Sequence, residues 1–182
     1  MGTASFATDY THHYASPLGD IILASDGESL TGLWFDGQKH IPLALDRRNK
    51  QKLPVFREAD RWLDFYFTGK IPGFTPPLFM RGSLFSQVVW NILLSIPYGQ
   101  TRTYGSIATD IARRQESCRM SAQAVGGAVG HNPIAIIIPC HRVVGADGSL
   151  TGYAAGLDRK RKLLELERAR ENRKPVDHLG QF

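Results

Sequence analysis

The first clear pattern along the chain is at residues 19–37, GDIILASDGESLTGLWFDG, where β-branched and aromatic residues flank a Ser-Asp-Gly turn. This predicts two antiparallel strands. Residues 54–70 change period: Phe56, Ala59, Trp62, Leu63 and Tyr66 fall on one stripe, and Gly69 follows as a stop signal, which predicts an amphipathic helix. Three prolines within IPGFTPPLFM, residues 71–80, read as a linker, so a domain boundary is placed near residue 80. The division is 1–80, a β-rich N-terminal domain with a helix, and 81–182, a mainly helical domain.

Beyond residue 80 the helical period returns. SLFSQVVWNILLSIPYG predicts a helix closed by Pro97 and Gly99, and TRTYGSIATDIARR a second helix capped by Thr101 or Thr103. After the polar QESCRM, the segment SAQAVGGAVGHNP predicts a third helix with Ser121 as N-cap and Asn132-Pro133 at its end. Two short helices joined by a polar segment suggest a helix-turn-helix, although a buried helical hairpin has the same pattern. Gly126 and Gly127 inside the third helix together cost about 2 kcal/mol in propensity relative to alanine. Either close packing against a neighbouring helix or a bulky partner lying on this surface accounts for that cost.

IAIII, residues 134–138, is a continuous apolar run and predicts a strand or extended segment buried on both sides. Pro139 ends regular pairing there, and Cys140, His141 and Arg142 follow. A lone cysteine beside an apolar run is usually an inert thiol. A neighbouring histidine and fixed positive charge favour the reactive thiolate instead. In a fully extended segment the His141 side chain faces away from that of Cys140, so the pair needs a turn or a bridging water. The histidine also needs an oxygen on its other ring nitrogen to fix its tautomer. On a wheel of the last helix, GLDRKRKLLELER, with Leu163 at zero, Glu167 falls at about 40°, between Leu166 at about −60° and Leu164 and Leu157 at about 100° and 120°. A carboxylate inside that arc either has a buried partner or sits at a fraying end and meets water.

The chain of 182 residues is 42% hydrophobic, enough for a real core. It shows no apolar run long enough to span a bilayer and no secretory leader, which places it in the cytoplasm. Two cysteines, Cys118 and Cys140, without CxxC spacing make neither a disulfide framework nor a structural zinc site. A net charge of +5, with Arg and Lys crowded into the second half, favours a polyanionic partner.

IPCHRVVG, with AVGGAVGHNP before it and GSLTGYAAGLDRKRKLLELE after it, resembles the O6-alkylguanine-DNA alkyltransferase family, the methylated-DNA–protein-cysteine methyltransferases. The likeness is dense over residues 80–168 and looser over the β-rich first part. It implies an α+β fold and a DNA-repair protein that works as a monomer on duplex DNA, without cofactor or metal. Such a protein flips O6-alkylguanine, or O4-alkylthymine, from the helix and moves the alkyl group irreversibly onto its own cysteine.

Carried over, the resemblance makes Cys140 the nucleophile and His141 its base through a water. Glu167 orients His141, and Asn132 links the recognition helix to the active-site segment. DNA contact falls to Tyr104, Ser121, Gln123, Gly126 and Gly127, and the base pocket to Tyr104, Val143, Tyr153 and Ala154. Arg142 is read as pairing with a carboxylate to brace the loop. The chain departs from the family at Gln123, where most relatives have an arginine that fills the gap left by the flipped base, and at Ala154, where some carry a hydroxyl. Three rival readings are weighed. A sensor of alkylated guanine that performs no transfer is opposed by Cys140. A Cys-His-Glu hydrolase lacks any marked oxyanion hole. A major-groove regulator is opposed by the few base-reading side chains on the glycine-rich helix.

Overall fold

The computed structural model describes residues 9–45, 51–114 and 120–171. The segment 115–119, with Cys118, and the tail 172–182 lie outside the described residues.

Strands β1 (Tyr10–Ser16), β2 (Gly19–Ser25) and β3 (Leu30–Phe35) form an antiparallel sheet in chain order. β2 and β3 are the two strands expected from the hydrophobic pattern. β1 was not expected, because Tyr10-Thr-His-His-Tyr has few apolar side chains; it pairs with β2 from Tyr10↔Ser25 to Ser16↔Gly19. Helix α1 (Pro54–Phe67) begins with proline at its first position, where a missing N–H costs nothing. It buries the expected stripe against the sheet, and Gly69, at φ +74°, follows its end. His12 and Tyr14 of β1 hold Asp60 and Asp64 of α1.

The outer edge of β3 is covered at both ends. Leu30 N–H donates to Pro77 O and Phe79 N–H to Leu30 O, so the proline-rich linker partly pairs with the sheet. At the other end Leu33 donates to Pro133 O and accepts from Ala135 N–H. The active-site segment is thereby fixed to the N-terminal sheet, and one apolar core runs through both halves of the chain.

Helices α2 (Leu84–Leu94), α3 (Tyr104–Arg114) and α4 (Ala122–Gly130) pack together, with Ser83 capping α2 and Ser121 capping α4. Thr103 Oγ1 accepts from Ser106 N–H at the start of α3. Trp90 Nε1 donates to Ala128 O at 2.9 Å and ties α4 to α2. A two-stranded parallel pair, β4 (Arg102–Thr103) with β5 (Val143–Val144), joins the start of α3 to the end of the active-site segment. Helix α5 (Leu157–Glu171) closes the chain's described part. Among the described residues no helix is long and apolar enough to cross a membrane.

The strand expected over 134–138 is not formed. Ile134 makes one bridge to Leu33, then Ile137 N–H donates to Ala135 O and Ile138 N–H to Ile134 O, with Ile136 at φ +68°. A continuous apolar run reports burial, which holds for all five residues, but leaves the backbone shape open.

Candidate active site

After Pro139 the chain enters a 3₁₀ turn, Cys140–Arg142, instead of emerging extended. The turn removes the geometric objection to adjacent Cys and His acting together. Asn132, just past α4, holds it in place: its Nδ2 donates to Ile138 O at 2.8 Å, and its Oδ1 accepts from Ile134 N–H at 3.0 Å. The end of α4 and the turn carrying Cys140 are thus joined through one amide side chain.

Cys140 lines a cavity of about 460 Å³, walled by Tyr104, Gly126 and Asn132 on one side and by residues 152–157 on the other. The loop after β3, residues 38–40, completes the wall, and Lys39 N–H donates to Ala154 O. Burial pushes the Cys140 thiol up from its ordinary value, while the Asn132 amide, the charge of Lys160 and nearby backbone N–H groups pull the other way. The resting group is a thiol.

Behind the turn lies a buried polar cluster centred on Glu167. Its Oε1 accepts from Tyr66 OH, His141 Nε2 and Arg142 Nη2, at 2.8, 2.8 and 2.9 Å. Its Oε2 accepts from Arg142 Nε at 2.9 Å and Gly99 N–H at 3.0 Å. Arg142 also donates through Nη1 to Ile96 O. The carboxylate that the helical wheel singled out therefore has its partners, and Arg142 braces the loop as expected. Burial alone raises the Glu167 carboxyl, but the hydrogen bonds from His141 and Arg142, the charge of Arg142 and, in acid where the ring is protonated, that of His141 overcome it and bring the pKa to about 2.

An ionised carboxylate only accepts, so His141 must carry its proton on Nε2. Burial lowers the His141 pKa, and the pull of Glu167 opposes that, so the ring is neutral at pH 7. Its lone pair is then on Nδ1, which is buried and has no hydrogen-bond partner among the described residues.

Of the residues expected at the site, Cys140, Asn132, Tyr104, Gly126, Tyr153 and Ala154 line the cavity, and His141 and Glu167 stand behind it. Val143 does not line it: the residue is fully buried and its carbonyl accepts from Lys160 Nζ at 2.6 Å. Ser121 and Gln123 lie on the exposed first turn of α4, where Gln123 N–H donates to Ser121 Oγ. The two explanations for the helix glycines separate here. A Cβ on Gly127 meets nothing within 4 Å, and one on Gly126 would only touch the Tyr104 ring at 3.8 Å. Among the described residues, neighbouring helices do not demand glycine at either position, so close packing does not account for the pair.

Two residues escaped the sequence reading. Tyr66 was placed on the apolar stripe of α1, and nothing marked its hydroxyl. Lys160 was counted only among the basic residues. Yet the wheel that flagged Glu167 puts Lys160 at about 60°, inside the same arc. Conversely Leu157, assigned to that arc, is the first residue of α5 and is 43% exposed.

The fold and site together define a thiol-bearing protein with a helix-turn-helix joined directly to the cavity that holds the thiol. Family models agree: residues 84–169 match the 6-O-methylguanine DNA methyltransferase DNA-binding domain, and residues 10–78 its ribonuclease-like domain. A methylated-DNA–protein-cysteine methyltransferase of Methanosarcina acetivorans is 48% identical over 155 residues, covering 85% of this chain and 95% of that protein. A namesake from Haemophilus influenzae is 41% identical, covering 91% and 93%. The crystal structure of Mycobacterium tuberculosis O6-methylguanine methyltransferase superposes with a TM-score of 0.77 at 44% identity, covering 93% of this chain and 96% of that one. A second structure, of the Mycobacterium tuberculosis protein in complex with DNA, gives 0.75 at 44% identity, covering 92% and 96%. The chain belongs to the methylated-DNA–protein-cysteine methyltransferase family, DNA-repair enzymes that move an alkyl group from DNA to a cysteine.

Proposed function

We propose that this chain repairs duplex DNA by taking the alkyl group of O6-alkylguanine, and of O4-alkylthymine, onto the sulfur of Cys140. The observation that carries this reading is the buried thiol in a cavity of about 460 Å³ beside a neutral histidine whose tautomer is fixed. That volume is ample for a purine. A base inside a stacked duplex cannot reach such a thiol, so it must be extruded.

In the proposed sequence, α4 lies on the duplex with its glycine surface against the backbone, and Gln123 enters the gap left by the base. Tyr104 presses on the flipped nucleotide's phosphate, and Tyr153 and Ala154 cover the base. His141 Nδ1 takes the Cys140 proton through a water, and Glu167 stabilises the imidazolium that forms. The sulfur attacks the alkyl carbon in line as the carbon–oxygen bond breaks. The purine leaves with its electron pair and gains a proton, for which Tyr104 is the donor. The thioether has no route back, so each molecule acts once. Val143, expected in the base pocket, is buried away from the cavity with its carbonyl on Lys160, and has no part in this sequence.

The reading further takes the protein to act as a cytoplasmic monomer. It divides the chain at residue 80, and the ends of the two family models, 78 and 84, support the division. The test is transfer of radioactive methyl from O6-methylguanine in a duplex. Label should follow the denatured protein and saturate at one per molecule. Turnover beyond one, or label released as methanol, would contradict it.

A further inference from the structure

A contact at the rim of the Cys140 cavity takes no part in the steps above. His40, in the loop after β3, and His131, which caps the C-terminus of α4, bring their rings together with centroids 4.3 Å apart and planes tilted by 37°. His40 lines the cavity together with Gly126, Val129 and Gly130 of α4, so the contact joins the two halves of the chain at the cavity mouth. Each partner is held in place. His131 Nδ1 donates to Gly127 O at 2.8 Å, which sets its ring over the last turn of α4 and leaves the lone pair of the neutral ring on Nε2. Lys39 N–H donates to Ala154 O at 3.1 Å, and His40 follows at φ +66°. That left-handed conformation is costly for a side chain and is kept only where the surroundings enforce it.

The charges that act on His40 are of its own sign. Burial, His131 and Lys39, in that order, lower its pKa from the ordinary value, so the ring is neutral at pH 7. Cys140, Tyr104 and Tyr153, the other titratable groups on the cavity wall, are each raised by burial and keep their protons, so none of them offers it an anion. The C-terminus of α4 also ends here, and the dipole of a helix disfavours phosphate at that end. With His40 neutral the rim is ill-matched to a nucleic acid. Yet a duplex that delivers a flipped base into this cavity must bring the flanking phosphates to its mouth.

We propose that the His40–His131 pair is a phosphate-binding surface, supplied in part by the N-terminal half, that takes up a proton as duplex DNA docks. The inference rests on the reading of α4 as the DNA-facing helix. Phosphate charge offsets the repulsion from His131 and Lys39, so His40 holds its proton more tightly in the complex than in the free protein. By linkage the proton tightens DNA binding by the same factor. Affinity is therefore greatest below the lowered pKa of the free protein. It falls as pH rises towards the higher pKa of the complex and is level above it.

The experiment is anisotropy with a labelled unmodified duplex from pH 5.5 to 8.5, alongside NMR of isotope-labelled histidine with and without duplex. Both rings are exposed, so low ionic strength is used to limit screening. Wild-type affinity should rise by roughly tenfold from pH 8 to pH 6. The His40 resonance should titrate at higher pH in the complex than in the free protein. His40→Asn keeps a side chain that tolerates the left-handed backbone and loses the titrating group. It should lose most of the gain in acid, with its melting temperature retained. His40→Lys should hold the acid-state affinity across the whole range. Should neither variant fold, the NMR midpoints decide alone. A His40 midpoint that is the same with and without duplex, or a His40→Asn protein with the wild-type pH profile, overturns the inference. A wild type that binds no duplex at any pH overturns the underlying reading instead.

Discussion

Nε2 of His141 stands 2.8 Å from Oε1 of Glu167, and this contact decides which ring nitrogen is free to act as a base. Because the same carboxylate takes both the Nε and Nη2 donors of Arg142, it stays ionised and cannot share a proton with the ring. Glu167→Gln removes that certainty, since an amide can donate as well as accept. Single-turnover transfer should fall by roughly a hundredfold or more. Urea unfolding should show a loss of about 3 kcal/mol, as Arg142 is left buried without its counter-charge. Full activity in this variant would remove Glu167 from the account.

Stability should decline in acid in two stages. His141 binds its proton less tightly folded than unfolded, so stability falls as pH drops below the unfolded value of 6.5. Glu167 contributes stability that is fully present above about 4.5 and is lost as pH falls towards 2, worth about 3 kcal/mol at neutral pH. Urea midpoints measured at pH 7.5, 5.5 and 4 should fall at each step. In Glu167→Gln the second drop should shrink. A midpoint that stays level from pH 7.5 to 4 would contradict the assignment of both groups.

Tyr66→Phe tests the one member of the cluster that lies on α1. It deletes a buried donor to Glu167 Oε1 while keeping the ring stacked on Trp62, 5.3 Å between centroids. The expected cost is about 1–3 kcal/mol in unfolding free energy, with transfer reduced less than tenfold because His141 and Arg142 still hold the carboxylate. A transfer defect as large as that of Glu167→Gln would move the hydroxyl into the chemistry.

The glycine surface of α4 makes opposite demands on stability and binding. Gly127→Ala meets open space and should stabilise the fold by up to about 1 kcal/mol. Gly127→Leu should keep the fold and lose DNA affinity, measured by anisotropy with a labelled duplex. If Gly127→Leu binds as wild type, DNA does not lie there.

Gln123 should contribute to binding through insertion, without charge. Gln123→Ala should weaken affinity, and Gln123→Arg should strengthen it and steepen the dependence of log K on log salt by up to about one. Equal affinities in all three would remove the residue from the DNA surface.

Much of this site was legible because burial leaves periodic traces. Glu167 inside the leucine arc of α5 needed a partner, and Arg142, an arginine beside a buried turn, needed one too; the structure pairs them. The same logic extends to Lys160, whose angle on the wheel was available, but long basic side chains so often reach solvent from apolar faces that it drew no notice. The Tyr66 hydroxyl left no trace, since a tyrosine on an apolar stripe fits the stripe through its ring alone. β1 was hidden because its polar residues face α1 and solvent, and its partners come from hydrogen bonding to β2. At Ile136 the limit is different. Five apolar residues in a row specify a buried segment, and only the tertiary requirement to turn Cys140 towards the cavity distinguishes a folded-back coil from a strand.

The most direct measurement is intact mass spectrometry of the protein after incubation with duplex DNA containing one O6-methylguanine. The account predicts a gain of a single methyl group, mapped by peptide analysis to Cys140 and absent in Cys140→Ser. An unchanged mass while the duplex is still bound would contradict it.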